Sequence, residues 1–315
     1  MAEPGTPPVL GILGGSGIYD IGGLTSVAWR RVKTPWGDPS DALMFAEFQG
    51  MPLVFLPRHG RGHPIPPSEI NFAANIDALK RSGVTEIISL SAVGSLREEL
   101  APGAFVLVDQ FIDRTFARRK SFFGRGLVAH VSMADPVCGR LGDEIATAAA
   151  AHGIQVLRGG TYVTMEGPQF STRAESELYR RWGASVVGMT NMPEAKLARE
   201  AELCYATVAM VTDYDCWHPH HADVTVERVV KVLLGNAERA RGLLKAVAPR
   251  LLGRTGACAR GCHRALDAAL ITAPEKRDPK VMTRLAVVAG RIFGAAKKRV
   301  AKKARAKKPA PRKKK

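Results

Sequence analysis

The chain has 315 residues, with 46 Lys or Arg against 29 Asp or Glu and a formal net charge of +17. At 46% hydrophobic residues it can bury a substantial core, as one large domain or two small ones. No stretch approaches the length of a membrane-spanning helix, and the N-terminal Met-Ala-Glu-Pro-Gly has neither the basic start nor the apolar core of a secretory leader, so a cytoplasmic protein is expected.

The charge is unevenly placed. Residues 297–315, "KKRVAKKARAKKPAPRKKK", hold 12 of the basic residues and no acid, and removing those 12 from +17 leaves +5 for the rest. Lys, Ala and Pro cannot bury apolar surface, so this tail is expected to be disordered and to attract polyanions without reading sequence. A solubilising appendage and a non-specific nucleic-acid contact are both open readings. The five cysteines are an odd count in mostly apolar surroundings, which fits a reducing compartment. Cys258 and Cys262 in "CARGCH", with His263, offer adjacent ligands but no second cysteine pair. Ordinary thiols, and no bound metal, are expected there.

In chain order, residues 9–13 form an apolar strand that breaks into "GGSGIYD", and residues 42–48 and 52–56 follow as strands. "PPSEINFAANIDALKRSG" (66–83) reads as a helix, with prolines at its start and a terminating glycine. Strands are expected at 86–93, 105–112, 185–190 and 204–213, and helices at 171–183 and 225–247. The alternation predicts one α/β domain over residues 1–250. A helical extension over 251–296 and the disordered tail complete the chain.

The glycine turn fails three familiar templates. A dinucleotide fingerprint needs glycine where Asp20 stands, a Walker loop needs lysine where Ile18 stands, and a nucleophile elbow on Ser16 needs glycine at 18. What remains is a set of freed backbone N–H groups plus the Ser16 hydroxyl, which suits a small anion. "FLPRHGRGH" (55–63) ends a strand with Arg58 and His59, and arginine can grip a tetrahedral oxyanion through two parallel N–H bonds. His59 and His63 have the spacing of a helical metal pair, but Gly60 and Gly62 argue against a helix there. "SLSAVGSL" (89–96) brings Ser91 and Ala92 to a further strand end. Strand ends with anion donors suggest one site at a sheet edge. "VVGMTNMPEAKLARE" (186–200) places Met189 and Thr190 before a helix whose first turn carries Glu194. "VTDYDCW" ends another strand with Asp213 and Asp215, two apart and on one side if extended. Such a pair can hold a metal, act as an acid and base, or cap a loop.

Through "GGSG", "RHGRGH", "SAVGSLREE", "DQFIDRT", "EGPQFSTRAES", "GMTNMPEAKLARE" and "VTDYDCW", residues 9–247 closely resemble the trimeric branch of the purine nucleoside phosphorylase family, in particular its members that act on 5′-methylthioadenosine. The resemblance implies a single α/β domain with a mixed, partly barrel-like central sheet flanked by helices. It implies phosphorolysis of methylthioadenosine to adenine and 5-methylthioribose 1-phosphate by a homotrimer, with inorganic phosphate as co-substrate, no other cofactor and no metal. Ser16, Arg58, His59, Ser91, Ala92 and Thr190 would then cradle phosphate, with serine at 16 and 91 where threonine is usual. Met189 would lie against the ribose and Phe170 beside the purine. Asp213 and Asp215 would recognise the base, with N7 assigned to Asp213 by preference. Ser171 and Val226 are tied to selectivity, Val226 and Val229 would line the methylthio pocket, and His130 would come from a neighbouring subunit. A phosphorylase acting on methylthioinosine or other 6-oxopurines is the alternative within the class.

Overall fold

Short apolar strands alternate with capped helices in a computed structural model that describes residues 8–15, 17–219, 225–254 and 257–293. Ser16 and the basic tail lie outside the described residues. The elements are β1 (Leu10–Gly14), β2 (Thr25–Arg30), β3 (Leu43–Phe48), β4 (Met51–Pro57), α1 (Phe72–Arg81), β5 (Glu86–Ser95), β6 (Phe105–Leu107), β7 (Gln110–Asp113), α2 (Gly139–Ala151), β8 (Val156–Arg158), β9 (Thr161–Thr164), α3 (Arg173–Arg181), β10 (Val186–Gly188), α4 (Asn191–Glu200), β11 (Cys204–Asp213), α5 (Val226–Leu252) and α6 (Pro279–Arg284).

Successive side chains of the inner strands go to opposite faces, and both faces are buried. In β1, Leu10 and Ile12 join one apolar cluster and Leu13 the other; in β4, Leu53 and Phe55 join the first and Val54 and Leu56 the second. Helices α2 and α5 cover the first face through Leu141, Ile145, Leu244 and Val247. Helices α1 and α4 cover the second through Ile76, Leu79, Ala195 and Leu197. The caps follow from local chemistry. Asn71 accepts the Ala74 amide at the start of α1, and Thr172 and Glu175 close a reciprocal capping box on α3, satisfying amides that have no partner inside the helix.

The sheet runs β2-β3-β4-β1-β5-β10-β9-β7, with β11 paired to β5 and β6, and β8 paired to β6. The expected mixed central sheet flanked by helices is present; it branches at β5 and does not close. On one edge of β5, β11 runs parallel from Glu86 to Gly94. On the other edge, β1 is parallel as far as Ser89, and β10 is antiparallel at Gly94 and Ser95. Leu90–Val93 therefore have β11 on one side and neither β1 nor β10 on the other. That interruption opens the sheet at the carboxyl end of β1.

Some elements differ from expectation. The strand expected over 105–112 is two, β6 and β7, because they pair with different partners across the branch. The strand expected over 185–190 stops at Gly188, after which the chain turns into α4. β2, β8, β9 and α2 were not expected: β2 is largely exposed, β8 and β9 are short, and α2 buries only Leu141, Ile145, Ala148 and Ala149. α5 continues through Pro249 to Leu252. Past it, Leu266, Leu285, Val288 and Ala289 pack into the second apolar cluster. No helix among the described residues is long and apolar enough to cross a membrane.

Gly188 holds the branch together at close range. A Cβ there would sit 2.0 Å from the Tyr162 hydroxyl oxygen and 2.7 Å from its Cζ, and Tyr162 is fully buried. Gly188→Ala is expected to cost about 1–3 kcal/mol through overpacking, read as a lower denaturation midpoint. An unchanged midpoint would contradict the packing described here.

Candidate active site

A cavity of about 530 Å³ lies at the interruption in the sheet. Its walls bring together residues that are distant in sequence: Arg58, His59, Ser91, Ala92 and Thr190 at one end, and Phe170, Ser171, Asp213 and Asp215 at the other, with Met189 and Val229 also lining it. Gly15 represents the glycine turn, whose Gly17 has φ +85°, a conformation that favours glycine. Among the described residues, two expected ones are not in this wall. Val226, the first residue of α5, is 69% exposed. His130 is exposed, its amide bonded to the Ala269 carbonyl, and lines a separate depression with Lys120 and Glu200.

Arg58 extends β4 by donating its amide to the Gly14 carbonyl at 2.9 Å, and its side chain is buried. The pair of parallel N–H bonds expected to grip an anion is directed to Glu194 instead. Nε donates to Glu194 Oε2 at 2.7 Å and Nη2 to Oε1 at 3.1 Å. Nη2 also reaches Ser89 Oγ at 2.6 Å, and Nη1 donates to the Leu90 carbonyl at 3.0 Å. A guanidinium has five N–H donors, so one Nη1 proton is left to meet a ligand from the cavity. The remaining Glu194 contacts come from Ser89 Oγ (2.7 Å) and Tyr205 Oη (2.8 Å), and the Asn191 amide donates to Ser89, Tyr205 and Thr207. Arg58 is thus a cation already neutralised and held rigid.

The neighbouring donors are hydroxyls. Ser91 Oγ lies 3.0 Å from Tyr162 Oη and 3.3 Å from Thr190 Oγ1, and all three are buried. His59 stacks on His63 with ring centroids 4.1 Å apart, and its Nδ1 meets the Ile65 carbonyl at 2.9 Å. Nδ1 therefore carries a proton, and Nε2 is the free nitrogen. Burial, reinforced by the Arg58 charge, pushes the His59 pKa down to about 4. The ring is neutral at ordinary pH.

The opposite end is acidic. Asp213 ends β11 just after a register shift against β5; its Oδ2 accepts from the Thr212 hydroxyl at 2.7 Å and its Oδ1 from the Asp215 amide at 2.8 Å. Asp215 faces the same cavity through a turn, not through strand alternation: its φ is +53°. Burial raises the pKa of both carboxyls, and the Asp213 charge raises that of Asp215 further. Asp215 Oδ2 is buried with no hydrogen-bond partner among the described residues, an acceptor left for a ligand donor. Gly94 permits this approach, since a Cβ there would lie 3.0 Å from Asp213 Oδ1.

Several supporting residues have no signal of their own in the sequence. Tyr162 anchors Ser91. Arg118, paired with Glu166 at 3.0 Å, donates to the Met192 carbonyl at 2.8 Å and to that of Met189, fixing the turn that carries Thr190. Glu194 was visible only as an acid in a first helical turn. Its position as counter-ion to Arg58 depends on contacts across 136 residues of chain.

A family model described as the phosphorylase superfamily matches residues 9–249. The chain is 60% identical over 294 residues to the S-methyl-5′-thioadenosine phosphorylase of Rhodospirillum rubrum, covering 93% of this chain and 100% of that one. It is likewise 60% identical to the protein of the same name from Cereibacter sphaeroides, over 90% of this chain and 98% of that one. Among solved structures it resembles a methylthioadenosine phosphorylase from an antarctic soil metagenomic library, with TM-score 0.84, 45% identity and coverage of 90% and 99%. It also resembles methylthioadenosine phosphorylase from Schistosoma mansoni in complex with adenine, with TM-score 0.75, 35% identity and coverage of 90% and 98%.

Glu194→Ala is expected to leave the Arg58 charge buried and unpaired, at a cost of about 3–5 kcal/mol in denaturant unfolding. A loss below about 1 kcal/mol would show that the pair is not the anchor described. The histidine makes a second prediction. Folded His59 protonates only near pH 4, whereas in the unfolded chain it does so near 6.5, so the unfolded state binds the extra proton between these values. Stability should therefore fall as pH drops through that window. In phosphate-free buffer, His59→Asn should flatten part of this acid slope; identical slopes in both proteins would refute the assignment.

Proposed function

Because the chain belongs to the phosphorylase superfamily, we infer that its cavity carries out phosphorolysis of S-methyl-5′-thioadenosine, giving adenine and 5-methylthioribose 1-phosphate in purine and methionine salvage. The chain is then a pentosyltransferase. The observation that carries this reading is a single cavity with hydroxyl, imidazole and guanidinium groups at one end and two buried carboxyls at the other.

Displacement of a purine from C1′ passes through an oxocarbenium-like sugar, positive at the ring and with negative charge building on the leaving base. Phosphate held by Arg58, His59, Ser91, Ala92 and Thr190, with Ser16 from the glycine turn, is both nucleophile and electrostatic partner to that cation. No covalent enzyme intermediate and no further cofactor is required. The neutral His59 accepts at Nε2, which suits the one remaining proton of a phosphate dianion. Met189 packs on the ribose and Phe170 beside the base. A carboxyl with its pKa raised by burial retains its proton more readily, so Asp213 donates to N7 as the base leaves. The unpartnered Oδ2 of Asp215 accepts from the 6-amino group. With Asp213 holding the proton, its charge no longer opposes ionisation of Asp215, and an ionised Asp215 has no proton to offer O6, so adenine is favoured over hypoxanthine or guanine. Val229 on α5 lines the 5′ end, with Ser171 contributing to selectivity. In a cytoplasmic homotrimer, His130 of the partner subunit would complete that pocket.

Adenine release from methylthioadenosine should require phosphate, and Asp213→Asn should lower kcat/KM by about 10²–10⁴. Inosine and guanosine should be turned over on the order of 10²-fold less efficiently. Equal release without phosphate would make the enzyme a hydrolase, and inosine turnover matching methylthioadenosine would favour the 6-oxopurine reading.

A further inference from the structure

Away from the cavity, the fold corrects the premise that Cys258 and Cys262 lack further cysteine neighbours. Cys138, at the N-terminus of α2, and Cys204, the first residue of β11, meet them, and the four Sγ atoms all lie within 4.8 Å of one another. All four residues are at most 4% exposed. Their backbones are tied in place: the Cys138 amide donates to the Tyr205 carbonyl at 2.7 Å, the Cys204 amide to Thr85 at 3.1 Å, and the Gly261 amide to Cys258 at 2.9 Å. Cys138 and Cys258 Sγ are 3.7 Å apart. A disulfide brings its sulfurs to about 2.05 Å. An ion with Zn–S bonds of about 2.3 Å spaces four tetrahedral thiolates by about 3.8 Å, close to the separation found. An iron–sulfur cluster would interpose its own inorganic core and hold the thiolates further apart.

The surroundings carry a matching charge. Glu86 is buried, and both Arg140 and Arg254 reach its Oε1 at 2.8 Å, so one carboxylate meets two guanidinium groups. Nε and Nη1 of Arg140 and Nη1 of Arg254 are buried without a hydrogen-bond partner. Arg140 faces Cys204 and Cys138, Arg199 Nη1 lies 3.8 Å from Cys262 Sγ, and the Arg260 guanidinium lies over Gly139, next to Cys138. Neutral thiols are weak acceptors and leave those cations uncompensated. A zinc ion with four thiolates carries a net charge of −2, and its sulfurs accept charge-assisted N–H bonds of the kind that support metal ligands.

We propose that Cys138, Cys204, Cys258 and Cys262 form a structural zinc site that fastens the segment after α5 to the body of the phosphorylase. Binding converts four thiols to four thiolates with release of four protons, and no electron is transferred. The site holds four protein ligands and has no open position, so its role is structural and separate from phosphorolysis.

The full chain, purified without chelator from zinc-replete cells, should contain about one zinc ion per chain. A mercurial should release that zinc to a chromogenic chelator, and replacement by Co²⁺ should give the visible bands of a tetrahedral cobalt thiolate. Cys258→Ser with Cys262→Ser should reduce zinc to less than about a tenth of an ion per chain, whereas Cys216→Ser should retain it. If the double variant does not fold, zinc stoichiometry and the cobalt spectrum of the unaltered chain decide. Four freely titratable thiols with no metal, a mass lighter by four hydrogens from two disulfides, or iron in place of zinc would each overturn the proposal.

Discussion

The site is organised around one buried ion pair, Arg58 with Glu194. Removing two such charges from water is costly, and their attraction compensates only when the remaining donors and acceptors are also satisfied. Here all but one Nη1 proton of Arg58 are, by Ser89 from β5, Tyr205 from β11, Asn191 from α4 and the carbonyls of Leu13 and Leu90. The network can form only if β1, β4, β5, β11 and α4 are all in register. It links correct folding of the sheet to correct placement of the cation at the cavity wall, and keeps that cation from swinging out to solvent.

The cavity is electrostatically asymmetric for the same reason. At one end a neutralised arginine, a neutral imidazole and hydroxyl groups offer hydrogen bonds without a large excess of positive charge. At the other, two carboxyls are held in conditions that make ionisation harder than in water. Apolar and thioether side chains such as Met189 and Val229 lie on the same wall and keep the local dielectric low, which strengthens interactions with charge that develops during reaction.

Much of this was legible in the sequence because it is local. The glycine turn, the strand-end Arg58-His59 pair, Ser91, Thr190 and the two aspartates each advertise donor or acceptor chemistry at an element boundary, and the structure gathers them around one cavity. What was hidden depends on partners far along the chain. Glu194 is indistinguishable from any first-turn acid until Arg58 is beside it. Tyr162 and Arg118 are an ordinary aromatic and an ordinary cation until burial is known. The run 105–112 is apolar apart from Asp109 and Gln110, and its division into β6 and β7 follows from strands that pair with different partners. The cysteines are the clearest case: spacing showed one pair, and only the packing of α2 and β11 against the segment after α5 supplies the other.

Among the described residues, Leu90–Val93 lack a strand on one edge, and that gap changes what conformational stability means for this enzyme. A molecule docked there binds the native chain and not the random coil, so its concentration enters the folding equilibrium by mass action. A ligand present at a hundred times its dissociation constant adds about 2.7 kcal/mol. Melting curves recorded with and without such a ligand would therefore describe two different thermodynamic cycles, and the ligand-free chain is the reference from which the protein's intrinsic robustness is to be reckoned.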